Sequence, residues 1–234
     1  DFVFRTTFTD PYQGTAAAKY AAKNGIKKVA ILTNTSSDYS VGLAAAFKEE
    51  AAKQGLQVVE EKYTKDDKDF KSILTNIKNQ TPDAIFIPDY YGTVGLIATQ
   101  AKELGMTAKY LGGDGWDGVQ KDFAAVTEGA VFASQFAPDD TTPMVQKFIA
   151  AYKAKTGTDP NVFAALGYDT GNLIEAALKV AKDTSSEAVR DALKGLSLEL
   201  VTGKLVFDAD RNPQKAVTFV EVKGGKVVLK EKVQ

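Results

Sequence analysis

Residues 28–33 read Lys28-Val29-Ala30-Ile31-Leu32-Thr33, a short apolar run with a polar residue at each end. Such a run without alternation is typical of a strand buried on both faces, as in a parallel sheet. Working outward, further strand-like runs alternate with segments whose apolar residues recur every three or four positions, the helical spacing. The further predicted strands are 56–63, 83–87 and 110–112. One predicted helix ends near Gly55, and two others span 68–80 and 93–104. This series predicts an α/β fold, a parallel doubly wound sheet with right-handed crossovers.

The flanking regions depart from this regular alternation. Residues 2–8 are rich in aromatic and β-branched residues and predict a strand, and Asp10-Pro11 opens a helix that stops at Asn24-Gly25. After Gly129 we predict one strand, three helices, another strand and a terminal hairpin. The two strands are 130–136 and 204–207, and the hairpin is 216–230. The first helix runs through Val145 and Tyr152, and the second spans 162–182. The third helix opens at 184–187 with a capping-box pattern and ends at Gly195.

Composition excludes several classes of function. The 234 residues carry 29 Lys and Arg against 30 Asp and Glu, a balance without the basic surplus that nucleic-acid binding requires. The chain has no Cys and no His, which excludes disulfides, Cys/His zinc sites and catalytic triads that contain His or Cys. No apolar run approaches the length of a membrane span, and no signal-peptide pattern precedes the first strand.

Three loops that follow predicted strands carry the candidate site. In an open parallel sheet, ligands bind beyond the carboxyl ends of the strands, which here lead into residues 34–40, 88–92 and 113–118. Each loop offers an aromatic side chain and a carboxylate, a combination that suits an ammonium group. Asp114 lies among glycines, which permit close backbone approach, and packing explains it poorly.

Structural roles compete with ligand contact in these loops. Turn or helix-cap roles are the common ones for Asp38 and Asp117, with ligand contact by Asp38 as the rarer alternative. Tyr39 could either contact a ligand or simply cover the start of a helix. Period-2 alternation points one residue of the pair Tyr90-Tyr91 toward the crevice and the other toward packing.

Cofactor motifs are absent from the sequence. No glycine-rich phosphate loop follows a strand, and Gly112-Gly113-Asp114-Gly115 is acidic and would repel a phosphate. Residues 208–212 lack the Gly and the distal Glu of a calcium loop, so a β-turn explains them better. We therefore expect neither a cofactor nor a bound metal.

At these loops the sequence resembles the type I periplasmic solute-binding proteins of ABC transporters, in the branch of leucine/isoleucine/valine-binding proteins. The resemblance runs in order along essentially the whole chain. The matching segments are Phe4-Arg5-Thr6 with Asp10–Gly14, the "KVAI…YG" segment at Lys28–Ile31 and Asp38–Ser40 with Ser40 in place of the usual Gly, Lys68-Asp69-Phe70, the "GYY" loop at Asp89–Tyr91, Gly112–Trp116, and the "G-x-(L/I)-x-F-D" strand at Gly203–Asp208.

The resemblance implies a role for each of five residues. Asp114 matches the acidic residue that holds the ligand α-ammonium, and Tyr90 matches a Tyr beside that ammonium. Tyr39 matches an aromatic of the cleft, and Phe163 matches an aromatic on the side-chain wall of the pocket. Trp116 matches no fixed role, and we place it in the pocket by proximity alone.

The family fold has two lobes that close on a ligand. By resemblance, residues 1–136 with 213–234 form the second, C-terminal lobe, and residues 137–212 form part of the first. The family's first lobe begins with a βα region that nothing here matches, so the apolar stripes of helices 143–156 and 162–182 would face water. Three interpretations fit: a truncated, split or engineered fragment, a complementary chain that completes the lobe, or a domain-swapped protomer.

The function implied is capture of an amino acid, aliphatic or branched-chain, for delivery to the membrane subunits of an ABC transporter. The implied location is periplasmic or otherwise extracytoplasmic, free or anchored as a lipoprotein. A sensory receptor domain with the same fold is one alternative. An α/β enzyme that uses Asp and Tyr as acid and base is another, which the lack of His, Cys and a phosphate loop disfavours.

Overall fold

The computed structural model describes residues 1–233, which form nine α-helices and ten strands. The helices are α1 Asp10–Lys23, α2 Asp38–Lys53, α3 Lys71–Asn79, α4 Tyr91–Glu103, α5 Val119–Asp122, α6 Ala124–Thr127, α7 Pro143–Thr156, α8 Val162–Val180 and α9 Ser186–Gly195. The strands are β1 Lys28–Asn34, β2 Gln57–Tyr63, β3 Ala84–Ile87, β4 Lys109–Gly112, β5 Val131–Ser134, β6 Ser197–Leu200, β7 Gly203–Phe207, β8 Pro213–Gln214, β9 Val217–Lys223 and β10 Lys226–Val233. A 3-10 helix spans Asp114–Trp116.

The described chain divides into two compact units. The larger unit contains residues 10–134 and 219–233, and the smaller unit contains residues 1–9 and 135–218. The segment 1–9 thus groups with 135–218, whereas the sequence had assigned it to the lobe that contains residues 10–136.

The larger unit is built on a seven-stranded sheet with the order β10-β9-β5-β4-β3-β1-β2. Strands β1 to β5 pair in parallel, which confirms the predicted α/β fold. All four residues of β3 and six of the seven in β1 are buried, as expected for strands covered on both faces. Stacked rings join helices to the sheet: Phe47 of α2 lies 4.6 Å from Phe86 of β3, and Tyr20 of α1 lies 4.7 Å from Phe219 of β9.

The register of the sheet decides where the loops meet. Asn34 at the end of β1 pairs with Tyr63 at the end of β2, and Ile87 at the end of β3 pairs with Gly112 at the end of β4. Because parallel strands end at one edge, the loops after β1, β3 and β4 lie side by side there.

The smaller unit combines α7, α8 and α9 with the antiparallel sheet β6-β7-β8. One apolar cluster joins Phe136, Val145, Phe148, Ala165 and Val201, and another joins Leu173, Leu200, Leu205 and Phe207. Along α8, Leu173 and Ala177 are buried, whereas Ile174 and Leu178 are 50% and 49% exposed. The predicted apolar stripe of this helix is therefore half covered within residues 1–233.

A buried polar cluster crosses the smaller unit. The Lys215 ammonium donates to the carbonyl of Thr6 at 3.0 Å and to Oγ1 of Thr202 at 2.9 Å. The Asp169 carboxylate accepts from the backbone N–H groups of Val201 and Thr202 at 2.9 and 2.8 Å. Burial lowers the pKa of Lys215 to about 8, against the opposing influence of Asp169.

The structure differs from the sequence predictions at residues 2–8, at β6 and at the start of α9. Residues 2–8 form no strand: Arg5 N–H donates to the Arg211 carbonyl, and Phe4 packs edge-on against Phe207, without a ladder. Residues that favour a strand do not form one by themselves, because a strand needs a neighbouring strand to pair with. Strand β6 was not predicted, although its four residues alternate polar and apolar as in a half-buried strand. The cap of α9 is Ser185, whose hydroxyl accepts from Ala188 N–H, one residue later than predicted.

Candidate functional site

A cluster of polar and aromatic side chains lies at the carboxyl edge of the larger unit's sheet, where β1, β3 and β4 end. Its centre is the pair Tyr39 and Asp114, which come from α2 and from the 3-10 helix after β4. The Tyr39 hydroxyl donates to Oδ1 of Asp114 at 3.0 Å and accepts from the backbone N–H of Gly115 at 2.9 Å. Tyr39 thus fixes both the backbone and the carboxylate of the loop that follows β4.

Burial raises the pKa of the Tyr39 hydroxyl, and the negative charge of Asp114 raises it further. The hydroxyl therefore keeps its proton at physiological pH and remains a donor to the carboxylate. Among residues 1–233, Oδ2 of Asp114 makes no hydrogen bond, and the side chain is partly exposed. One carboxylate oxygen is thus held in place while the other is free to accept from a bound molecule.

Gln13 of α1 supports the same loop from the protein interior. Its Oε1 accepts from the backbone N–H of Asp114 at 2.9 Å, and the side chain is 1% exposed. The backbone here is closely packed: a Cβ on Gly113 would lie 2.5 Å from the Tyr39 hydroxyl, and one on Gly115 would lie 2.9 Å from the Asp89 carbonyl. Glycine is therefore required at both positions, as the glycine pattern of the sequence indicated.

Two tyrosine rings form an aromatic wall beside the carboxylate. The rings of Tyr39 and Tyr90 stack with centroids 5.1 Å apart and an interplanar angle of 28°. Tyr90 directly precedes α4 and is 57% exposed, and Tyr91 is exposed as well at 44%. The expectation that one of the two packs inward is therefore not met, although Tyr90 is the one that joins the cluster.

Asp89 anchors this edge from below, and sequence analysis did not single it out. It is 2% exposed, and its Oδ2 accepts from Asn34 Nδ2 at 3.0 Å and from the Tyr63 hydroxyl at 2.5 Å. Its Oδ1 accepts from the backbone N–H of Tyr90 at 2.7 Å. One buried carboxylate thereby joins the ends of β1, β2 and β3 and sets the position of Tyr90. The adjacent polar and aromatic residues at three strand ends were the available signal.

The start of α2 is capped by Ser37 rather than by Asp38. The Ser37 side chain accepts from Ser40 N–H at 3.3 Å, and Asp38 occupies the first turn, where a negative charge favours the helix dipole. The buried Ser40 hydroxyl accepts from Asn34 N–H at 2.9 Å and so satisfies the end of β1. Asp38 therefore has a structural explanation. Burial raises the pKa of Asp117, which follows the 3-10 helix, although the charge of Lys121 opposes this rise and Asp114 adds a smaller contribution to it.

Trp116 lies outside the cluster, and Phe163 belongs to the smaller unit. Trp116 is fully buried: its indole N–H donates to the Ile87 carbonyl at 2.8 Å, and its ring lies 6.1 Å from that of Phe132. Trp116 was predicted to line the pocket, but its ring lies in the core, because the 3-10 turn directs it back under the edge of the sheet. Phe163 lies in the first turn of α8 in the smaller unit and is 70% exposed.

The carboxylates and aromatic rings at this edge of the sheet determine which ligands it can bind. Among residues 1–233, no group of three or more Asp or Glu side chains is arranged to hold a metal ion. Within the same residues, no helix has the length and apolar character that a membrane span requires. The cluster combines one available carboxylate oxygen with exposed aromatic faces, an arrangement that attracts a cation by charge and by cation–π contact.

Comparison with known proteins places the chain in a family. A family model described as "Periplasmic binding protein" matches residues 1–226. The Leu/Ile/Val-binding protein BraC3 of Rhizobium johnstonii is 30% identical over 98% of this chain and 64% of its own length. The leucine-, isoleucine-, valine-, threonine- and alanine-binding protein of Pseudomonas aeruginosa is 28% identical over 88% of this chain and 56% of its own length.

Solved structures agree with this assignment. The leucine binding protein LivK of Thermotoga maritima superposes with a TM-score of 0.89 at 32% identity, over 99% of this chain and 68% of that one. LivJ of Streptococcus pneumoniae, solved in complex with isoleucine, gives a TM-score of 0.81 at 35% identity, over 98% and 67%. The chain spans 64% of the length of BraC3 and 56% of the length of the Pseudomonas aeruginosa relative. It belongs to the type I periplasmic binding proteins, a family of extracytoplasmic transport proteins, in the branch that contains the Leu/Ile/Val-binding proteins.

Proposed function

We propose that this chain contributes to the capture of an amino acid with an aliphatic side chain, and that Asp114 binds the ligand ammonium. The observation that carries the proposal is the free Oδ2 of Asp114, held beside the stacked rings of Tyr39 and Tyr90. The names of the relatives, which bind Leu, Ile and Val, support the aliphatic class of ligand.

The remaining parts of the proposal follow from the family. The larger unit corresponds to the C-terminal lobe and the smaller unit to part of the N-terminal lobe, with Phe163 on the wall that contacts the ligand side chain. The partners are the membrane subunits of an ABC transporter, and the site of action is extracytoplasmic, either free in the periplasm or tethered as a lipoprotein. The protein binds its ligand without chemical turnover.

A thermal-shift panel of the twenty amino acids tests the ligand class. A ligand that binds only the folded state raises the melting temperature by mass action. We expect Leu, Ile and Val to raise it, and Asp, Lys and D-leucine to leave it unchanged. Mass spectrometry of leucine after incubation with the protein should show no new product. A panel without any shift would contradict binding by this chain, and a shift restricted to acidic or basic amino acids would contradict the aliphatic class.

A further inference from the structure

Within residues 1–233, the chain passes between the two compact units three times, at residues 9–10, 134–135 and 218–219. The second and third connections extend two neighbouring strands of the seven-stranded sheet, since β5 ends at Ser134 and β9 begins at Val217. Backbone pairing between these strands therefore joins the two connections. Residues 1–9, which lead into the first connection, form neither a helix nor a strand, so no sheet ladder holds them.

Side chains near the other two connections bind the segment 1–9 at Thr6 and Thr7. The Lys215 ammonium, three residues before the third connection, donates to the Thr6 carbonyl at 3.0 Å. Gln135, the first residue after the second connection, donates from Nε2 to the Thr7 hydroxyl. Both contacts lie inside the smaller unit, which contains residues 1–9 and 135–218. Two consecutive residues of the segment 1–9 are thus tied to both of the other connections.

Packing alone does not explain why Lys215 and Gln135 are polar. Lys215 is 3% exposed and forms no ion pair among the described residues, because the nearby carboxylate of Asp169 accepts instead from two backbone N–H groups. Gln135 is also 3% exposed, and its Oε1 has no hydrogen-bond partner within residues 1–233. A buried charge without a direct counter-ion and a buried carbonyl without a donor both cost stability, which apolar side chains of similar volume would avoid. The hydrogen bonds to the segment 1–9 are what the two residues share.

We propose that Lys215 and Gln135 form an anchor that fastens the segment 1–9 to the other two connections, so that all three act as one hinge. The anchor holds Thr6 and Thr7 on the smaller unit and leaves the junctions themselves to absorb changes in backbone dihedral angles. Without it, the segment 1–9 would open separately, while the rest of the smaller unit stays folded. This role requires no ligand and is separate from binding at Asp114.

Trypsin cleavage of the whole native chain measures the opening of this segment, because Arg5 provides a cleavage site directly before Thr6. Cleavage requires local opening, and its rate follows the population of the open form. We expect Lys215→Met and Gln135→Met each to accelerate cleavage after Arg5 by about tenfold, as for the loss of a buried hydrogen bond. Cleavage after Lys147, within α7 of the smaller unit, should keep its original rate in both variants.

Two further variants make the test specific. Lys204→Met removes an exposed lysine from β7 of the same unit and should leave cleavage after Arg5 unchanged. Thr7→Val removes the hydroxyl that Gln135 binds, so Thr7→Val combined with Gln135→Met should accelerate cleavage no more than either change alone.

The possible outcomes separate an anchor from general destabilisation. Unchanged cleavage after Arg5 in Lys215→Met and Gln135→Met would overturn the proposal, and so would equal acceleration after Arg5 and Lys147. Additive effects of Gln135→Met and Thr7→Val would remove Gln135 from the anchor. If Lys215→Met does not fold, the pair Gln135→Met and Thr7→Val decides alone. Because these measurements use no ligand, their result is independent of amino-acid capture.

Discussion

Asp114→Asn tests the candidate ligand site most directly, because it removes the charge and keeps the shape. The substituted amide oxygen can still accept from the Tyr39 hydroxyl, now 3.0 Å from Oδ1, so the loop should keep its conformation. The ligand ammonium loses its counter-charge. At an effective dielectric constant of ~20, two charges ~4 Å apart interact by about 4 kcal/mol. Because Asp114 is partly exposed, solvent reduces the loss to about 2–3 kcal/mol, or roughly 30- to 150-fold in Kd.

Isothermal titration calorimetry with leucine measures this change. Asp122→Asn is the matched control, since it removes an exposed carboxylate in the neighbouring helix α5. Both variants should melt close to the original protein. If Asp114→Asn bound leucine within twofold of the original affinity while Asp122→Asn did the same, the ammonium would lie elsewhere and Asp114 would have no part in binding.

Three further predictions concern stability. Asp89→Ala leaves Asn34, Tyr63 and the backbone of Tyr90 without an acceptor and should cost about 3–5 kcal/mol in urea unfolding, and a loss below ~1 kcal/mol would contradict its anchoring role. Gly112→Ala places a Cβ 2.3 Å from the Trp116 ring and should cost ~2 kcal/mol or more, whereas Gly92→Ala, where a Cβ meets nothing, should cost far less; equal costs would contradict the packing. Lys215 has a folded pKa of about 8, below its unfolded value of 10.5, so the folded state binds fewer protons and stability should rise by about 2 kcal/mol between pH 8 and 10. Lys215→Met should abolish this rise, and a rise that persists in the variant would assign it to other groups.

The parallel core of the larger unit was predictable because its signal is local. An apolar run such as Lys28–Thr33 can only be satisfied by burial on both faces, and helical spacing between such runs leaves few alternative folds. Residues 2–8 show the opposite case. Their composition favours a strand, but within residues 1–233 they pair with no strand, and pairing is not a property of one segment.

In the candidate site, too, some positions were predictable from the sequence and others were not. The rule that ligands bind beyond the carboxyl ends of parallel strands was enough to bring Tyr39, Tyr90 and Asp114 together. It could not separate Trp116 from them, because a residue two positions from Asp114 can face either the solvent or the core. The 3-10 turn decides that question, and it depends on packing against Ile87 and Phe132.

By itself, the sequence determined the class of fold, the family and the loops in which a ligand site can form, since these follow from hydrophobic period, glycine positions and the order of motifs. Only the tertiary structure showed that Asp89 joins three strand ends and that Gln13 and Tyr39 hold the Asp114 loop. The physical reason is that hydrogen bonds between side chains distant in sequence depend on sheet register and side-chain direction. Those quantities are set by the packed core as a whole.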